Sequence, residues 1–150
     1  MLGGLRWCHH LTDWKTLAID GGFEIDVPPK SAWRWEQDPR SFVVRLSTNP
    51  ATDIRISRHG QTQGALDGVV ESFLMGVLPK VTHSKLGTSI QRCVNSPEAV
   101  QGVASTLTGD WWLVRAYPVG SDHLWLQWNG PKEYLEDPVL AVFESFSPRS

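Results

Sequence analysis

The first sixty residues alternate between apolar and polar side chains, the period expected of strands that bury one face. The alternating runs are Phe23–Val27, Phe42–Leu46 and Ile54–Arg58, with Pro28-Pro29 ending the first of them. The segment Trp33-Arg34-Trp35 lies between the first two runs, in a strand or in a loop. We therefore predict an antiparallel meander of three or four strands in this part of the chain.

From Gln61 to Val81 the period changes to that of a helix, and Pro79 marks its end. The apolar positions at helical spacing are Leu66, Val69, Val70, Phe73, Leu74, Val77 and Leu78. Small residues spaced by four form a stripe along the same helix: Gly64, Gly68, Ser72 and Gly76. Each glycine costs a helix about 0.8–1 kcal/mol relative to alanine. We expect an offset, either close helix–sheet approach or a partner or ligand against bare backbone.

The second half of the chain returns to strand-like patterns. The predicted strands are Leu86–Val94, Val100–Leu107, Trp111–Val119 and His123–Trp128. The turn Gly120-Ser121-Asp122 joins the last two strands as a hairpin. Apolar residues between Tyr134 and Phe146, with Pro138 near the first turn, predict a closing helix.

Both faces of that last hairpin are largely apolar, whereas a sheet wetted on one side alternates cleanly. Both faces of the sheet must then be covered. We predict an α+β fold of the α/β/α sandwich type: a central antiparallel sheet with a layer on each face, in the order strands–helix–strands–helix.

Length and composition suit one globular domain, with 150 residues and a net charge of −2. That charge gives no electrostatic basis for binding nucleic acid. Residues 1–16 show no clean period and are predicted to be a loosely attached arm before a single domain over 17–150. No secretory leader is visible, two cysteines make no disulfide framework, and no apolar run approaches the ~20 residues of a membrane span. We predict a reduced, cytoplasmic protein that does not bind membranes.

The order of the predicted elements and the residues that bound them resemble the PsbP-like superfamily over roughly residues 17–147, in three features. Phe23–Val27, Pro28 and Trp33 are similar to the family's opening strand, proline and tryptophan. The helix from Gln61 to Leu78 has the position of the family's first long helix, and Val142–Phe146 resembles its closing helix. The resemblance implies a PsbP-like sandwich and the binding of other proteins. The family has no shared active site, so the resemblance implies no catalytic residue.

Motifs for metal binding, nucleophilic catalysis and phosphate binding do not occur at their usual spacings. Cys8-His9-His10 with Asp13 could chelate a stray ion, but we predict no metal site, no cofactor and no enzyme. A third hypothesis is an enzyme whose site pairs His123 with Asp110 or Asp122.

Arg45 and Arg55 fall on one face if their two strands form a hairpin, and like charges so placed need compensation. Glu24 and Asp26 on a neighbouring strand are the expected source of it. The alternative is that the arginines form a patch for an anion or an acidic partner.

The eight tryptophans are the main remaining signal, because Trp and Arg are enriched at binding hot spots. Three tryptophans fit core positions, namely Trp33, Trp112 and Trp128. Three others fall in the opposite phase of their strands or in a loop, namely Trp35, Trp111 and Trp125. The predicted partner-binding residues are Trp111, Arg115, Tyr117, Trp125 and Trp35. A second core under the N-terminal arm and a ligand pocket are the alternatives for these residues.

We therefore expect a non-enzymatic module that binds another protein, as an adaptor or chaperone, with a homodimer as one possible assembly. Its surface would be the tryptophan–arginine patch or, as a secondary patch, the small-residue stripe of the helix. The alternative is a carrier of a small apolar ligand, with a pocket between the sheet and the first helix.

Overall fold

The structure, a computed structural model, describes residues 13–19, 22–37, 40–60, 65–77, 87–92, 98–105 and 109–148. Most of the predicted arm lies outside these residues, as do Gly64 and Cys93. Trp14 packs against the main core, and Lys15 and Thr16 pair with Val27 and Asp26. The last residues assigned to the arm thus belong to the folded domain.

In the part of the chain described, ten strands form two sheets. They are β1 (Lys15–Ile19), β2 (Phe23–Val27), β3 (Ala32–Glu36), β4 (Ser41–Leu46), β5 (Thr52–His59), β6 (Gly87–Arg92), β7 (Val100–Ser105), β8 (Asp110–Val119), β9 (Asp122–Pro131) and β10 (Ser147–Pro148). The larger sheet has the order β3-β4-β5-β9-β8-β7-β6 and the smaller has the order β1-β2-β10. Every pairing is antiparallel, so the predicted central antiparallel sheet is confirmed.

The prediction of one meander through the first sixty residues is wrong for Phe23–Val27. β3, β4 and β5 do form a meander, but β2 lies in the smaller sheet between β1 and β10. A turn follows β2, in which the Ser31 amide donates to the Pro28 carbonyl and Lys30 is left-handed with φ 67°. The turn redirects the chain, so that β3 starts in the larger sheet.

The helical segments are α1 (Leu66–Val77), α2 (Lys132–Tyr134) and α3 (Leu140–Ser145), with a wide turn at Leu135–Val139 between the last two. The single closing helix of the prediction is therefore interrupted. Asp137 is extended, with φ −159° and ψ 118°, because the residue before a proline is disfavoured in the helical region. No helix in the described residues is long and apolar enough to cross a bilayer.

The larger sheet packs against a different layer on each face. We call one the helix face; it packs against Leu66, Val70 and Leu74 of α1, which lies over β6, β7 and β8. Its buried residues are Val100, Ala104, Val114, Ala116 and Trp125. We call the other the small-sheet face, because it packs against the smaller sheet and α3. Its buried residues include Phe42, Val44, Ile54, Ile56, Leu113, Leu126 and Trp128.

Candidate functional site

A groove of about 370 Å³ opens on the helix face, beside the edge of α1. Side chains of α1 form one wall, and β5 and β9 form the floor. The lining residues are Arg55, Ser57, His59, Val69, Phe73, His123, Trp125 and Gln127. Both apolar and polar groups therefore face one concave surface.

The register of β5 against β9 explains why these side chains share one face. Arg55 lies opposite Gln127, Ser57 opposite Trp125, and His59 opposite His123. Directly opposed residues of an antiparallel pair project to the same side, and successive residues alternate between sides. The polar phase of β5 thus meets Trp125 of β9, and both lie beside α1.

The apolar part of the groove is a contact between α1 and the sheet. The Phe73 ring packs edge-to-face on Trp125, with centroids 5.1 Å apart, and on Trp112, with centroids 5.8 Å apart. Trp125 is 6% exposed, and its indole nitrogen donates to Gln127 Oε1 at 3.1 Å. Such pairs gain about 0.5–1.5 kcal/mol beyond their buried area, so this wall is held in place by packing.

Two stacked histidines extend the aromatic surface along the floor. The rings of His59 and His123 have centroids 5.3 Å apart at an interplanar angle of 22°, and Trp125 meets both edge-to-face. His59 Nε2 and Ser57 Oγ are 2.9 Å apart. Burial lowers the pKa of His123, the nearby His59 lowers it further, and Asp122 opposes both effects. His123 therefore stays neutral to lower pH than a free histidine.

Arg55 supplies the charge at the polar end of the groove. Its Nη1 donates to Glu36 Oε1 and to Ser41 Oγ, the latter at 2.8 Å. Arg34 Nη2 donates to the other oxygen of Glu36 at 2.7 Å. Both arginines hold the pKa of Glu36 below its usual range, chiefly through the hydrogen bond from Arg55. Two guanidinium groups thus share one carboxylate, which leaves this end of the groove with an excess of positive charge.

The ion pairs on this face correct the predicted source of compensation. Arg45 and Arg55 do share the helix face, but Arg45 pairs with Asp53 at 2.9 Å and Arg55 with Glu36. Glu24 lies on β2, as does Asp26, whose carboxylate accepts from Thr16 in the smaller sheet. The error follows from placing β2 beside the meander.

The predicted tryptophan–arginine patch is not brought together. Trp111, Arg115 and Tyr117 lie on the small-sheet face, whereas Trp125 lies on the helix face opposite Ala116. The two-residue turn pairs Val119 with Asp122, so odd-numbered residues of β8 face even-numbered residues of β9. Because side chains alternate with period two, Trp111 shares a face with Trp128 rather than with Trp125.

Arg115 and Tyr117 are also buried, at 3% and 2% exposure. Arg115 donates to Gln101 Oε1, to the Tyr117 hydroxyl at 3.2 Å, to the Phe143 carbonyl at 3.1 Å and to Glu144 Oε1 at 2.9 Å. These hydrogen bonds join α3 to the larger sheet, so Arg115 stabilises the packing of the helix on the sheet.

Trp35 lies apart from the other predicted patch residues. It projects from the edge strand β3 on the small-sheet face, 39% exposed, with its ring against Phe42 at 5.2 Å. Arg40 lies over the same ring at 4.2 Å. Three strands, β4, β5 and β9, separate it from Trp111 on β8.

The small-residue stripe does not face the sheet. Gly68, Ser72 and Gly76 are exposed, and a Cβ added to either glycine would meet no heavy atom of the described residues within 4 Å. Close helix–sheet approach therefore does not explain these glycines, while Gly64 lies outside the described residues. The binding role proposed for the stripe stays a prediction.

The acid–base pairs suggested for His123 are not formed by the carboxylates that were named. Asp122 points to the other side of β9, where it accepts from Arg58 at 3.0 Å. Asp110 pairs with Pro131 at the far end of β8, eight residues from Pro118, the partner of His123. At about 3.3 Å per residue this is a separation of roughly 26 Å. Within the described residues, no three His, Cys, Asp or Glu side chains are grouped to hold a metal.

Sequence reasoning missed most of the groove. The signal available was the strict alternation of β5, with Arg55, Ser57 and His59 in its polar phase. That phase becomes a floor only because β5 pairs with β9, which lies 64 residues further along the chain at the His59–His123 pair. Nothing local in the sequence indicates this partner.

No family model matches this chain, and no curated protein matches it in sequence.

Proposed function

We propose that this protein is a non-enzymatic module that binds a small molecule in the groove between α1 and the larger sheet. The observation that carries the proposal is the groove itself, about 370 Å³, lined by aromatic rings on one side and by Arg55, Ser57 and Gln127 on the other. Ligand sites in proteins typically have about 300–1,000 Å³, apolar walls and a few polar groups that fix orientation.

A neutral aromatic probe tests this proposal. We expect 2-naphthamide, measured by titration calorimetry, to bind with one site per chain because its ring can stack on Phe73 and Trp125. Phe73→Ala should weaken binding about tenfold or more by removing one wall. The matched control is Trp35→Ala, which changes a second cavity of about 230 Å³ that shares only Ser57 with the lining of the groove. The proposal fails if the probe does not bind, or if the control weakens binding as much as Phe73→Ala.

Protein binding is a second candidate, favoured by the edge strand β3. Trp33 and Trp35 of this strand are 40% and 39% exposed, and in the described part of the chain β3 pairs with β4 alone. An exposed sheet edge is a template for a strand from another chain. We propose a second copy of this chain as that partner, and sedimentation of an Arg34 variant tests it.

We also propose that the chain adopts the PsbP-like sandwich. Support comes from the element order, with β1–β5 before α1 and β6–β9 before α3. Superposition of an experimental structure on PsbP-like domains tests the proposal, and a different strand order would refute it.

A further inference from the structure

We propose that the ligand of the groove is a planar aromatic carboxylate, whose anionic group binds the Nε–Nη2 edge of Arg55. The inference rests on the proposed small-molecule function and adds the chemical class of the ligand. Three features support it: the hydrogen bonds of Arg55, the charges around the groove, and the aromatic residues that line the groove.

Arg55 is anchored through one nitrogen only. Glu36 and Ser41 both accept from Nη1, and no described residue accepts a hydrogen bond from Nε or Nη2. Those two nitrogens form the edge of a guanidinium that matches a carboxylate with two parallel hydrogen bonds. The side chain is 40% exposed and lines the groove, so this edge is accessible to a ligand.

The charges around the groove favour an anion. Arg34 and Arg55 share the single carboxylate of Glu36. Asp122 is turned to the other face of the sheet by Arg58. On α1, Asp67 and Glu71 are exposed and lie two residues from Val69 and Phe73, about 200° around the helix axis. Asp53, two residues from Arg55 on the same face of β5, is held by Arg45. These carboxylates are therefore paired or directed away from the free edge of Arg55.

The aromatic groups define the rest of the ligand. Phe73, Trp125 and the stacked pair His59–His123 line the same groove as Arg55, with Phe73 packed edge-to-face on Trp125. A molecule with an aromatic ring next to its carboxylate can satisfy both ends, whereas a flexible fatty chain would leave the ring faces poorly filled.

The test compares 2-naphthoate with 2-naphthamide, which have the same ring and differ in charge. We expect wild type to bind the carboxylate at least tenfold more tightly in titration calorimetry. Arg55→Gln should weaken naphthoate by about 10- to 100-fold, the range for a lost charge-assisted pair, and weaken naphthamide less, so that the preference for the carboxylate over the amide is lost. Arg55→Lys should also lose most of the preference, because an ammonium cannot present two parallel donors.

Arg40→Gln is the matched control, because Arg40 lies over the Trp35 ring and does not line the groove. It should bind both probes as wild type does, and thermal unfolding of each variant verifies its fold. Equal binding of the two probes by wild type overturns the carboxylate inference while leaving the proposed function intact. The absence of binding by both probes overturns the proposed function as well.

Discussion

Arg115 and Arg55 show how one residue type takes two roles in the same sheet. Arg115 is buried, and its guanidinium is surrounded by Gln101, Tyr117 and the end of α3. Arg55 is fixed through one nitrogen and keeps the rest of its guanidinium at a groove. Burying an arginine is costly unless its donors are satisfied, so the first belongs to the core and the second is suited to binding.

His123 makes the stability of the fold depend on pH. Its pKa is lowered in the folded chain, from an ordinary value of 6.5, mainly by burial. The unfolded chain then binds the proton more tightly, and acid favours unfolding. We expect the free energy of unfolding to be highest above pH 6.5. It should decrease as the pH falls from there through the lowered pKa of His123.

Urea unfolding on either side of pH 6.5 measures this effect. His123→Gln should lose part of the pH dependence seen in wild type. His59→Gln should lose a smaller part, since the charge on His59 is a lesser cause of the lowered pKa than burial. Full retention of the pH dependence in His123→Gln would contradict the assignment.

At the scale of elements, α1 combines a packed face with an exposed stripe. Leu66, Val70 and Leu74 are buried against the sheet, while Gly68 and Gly76 face open space. The helix is therefore stabilised by its packing rather than by the intrinsic propensity of its residues. A glycine stripe on a predicted helix does not by itself reveal which way the stripe faces.

Two glycine substitutions should have opposite effects on stability. Gly68→Ala should stabilise the fold by about 0.5–1 kcal/mol, because alanine is the better helix former and its methyl meets nothing. Gly130→Ala should destabilise it by about 1–3 kcal/mol, because its Cβ would lie 2.7 Å from Cζ2 of the buried Trp128 ring. Chemical denaturation of both variants measures the difference, and the same sign for both would refute this account of the two sites.

At the scale of the whole molecule, the larger sheet is asymmetric. On the helix face, α1 packs over β6, β7 and β8, whereas β3, β4 and β5 present ion pairs such as Arg45–Asp53 there. The small-sheet face packs against the smaller sheet and α3 at buried residues of β4, β5, β8 and β9. The groove lies on the helix face, between the side of α1 and the strands β5 and β9. On the far side of β5 come β4 and then β3, the edge strand.

The edge strand suggests a self-complementary dimer. Antiparallel pairing of β3 with its copy, with Trp35 opposite Trp35, would place each Arg34 opposite Glu36 of the second copy. Opposite charges in directly opposed positions stabilise a strand pair. We expect sedimentation equilibrium to show a concentration-dependent dimer that Arg34→Glu abolishes. Lys30→Glu makes the same charge change outside β3 and should still dimerise. A wild-type protein that stays monomeric at all concentrations would contradict the proposed dimer.

Much of the local structure could be predicted from sequence, and most of the candidate site could not. The runs Phe23–Val27 and Phe42–Leu46 form strands, and the helix predicted from Gln61 is present as Leu66–Val77. Period two and period 3.6 are properties of neighbours along the chain, so they survive any tertiary arrangement. The patch around Trp111 and Trp125 failed because it required the register of a hairpin, not only the phase of each strand.

Spacing along the chain was enough to predict several strands and the first helix, such as β2, β4 and α1, because it depends only on neighbouring residues. It did not predict β1 or the break in the closing helix. The folded arrangement of the chain places β2 outside the meander, pairs β5 with β9, and buries Arg115 while Arg55 stays accessible. These outcomes depend on contacts between distant segments, and a shift of one residue in register exchanges the faces of a strand.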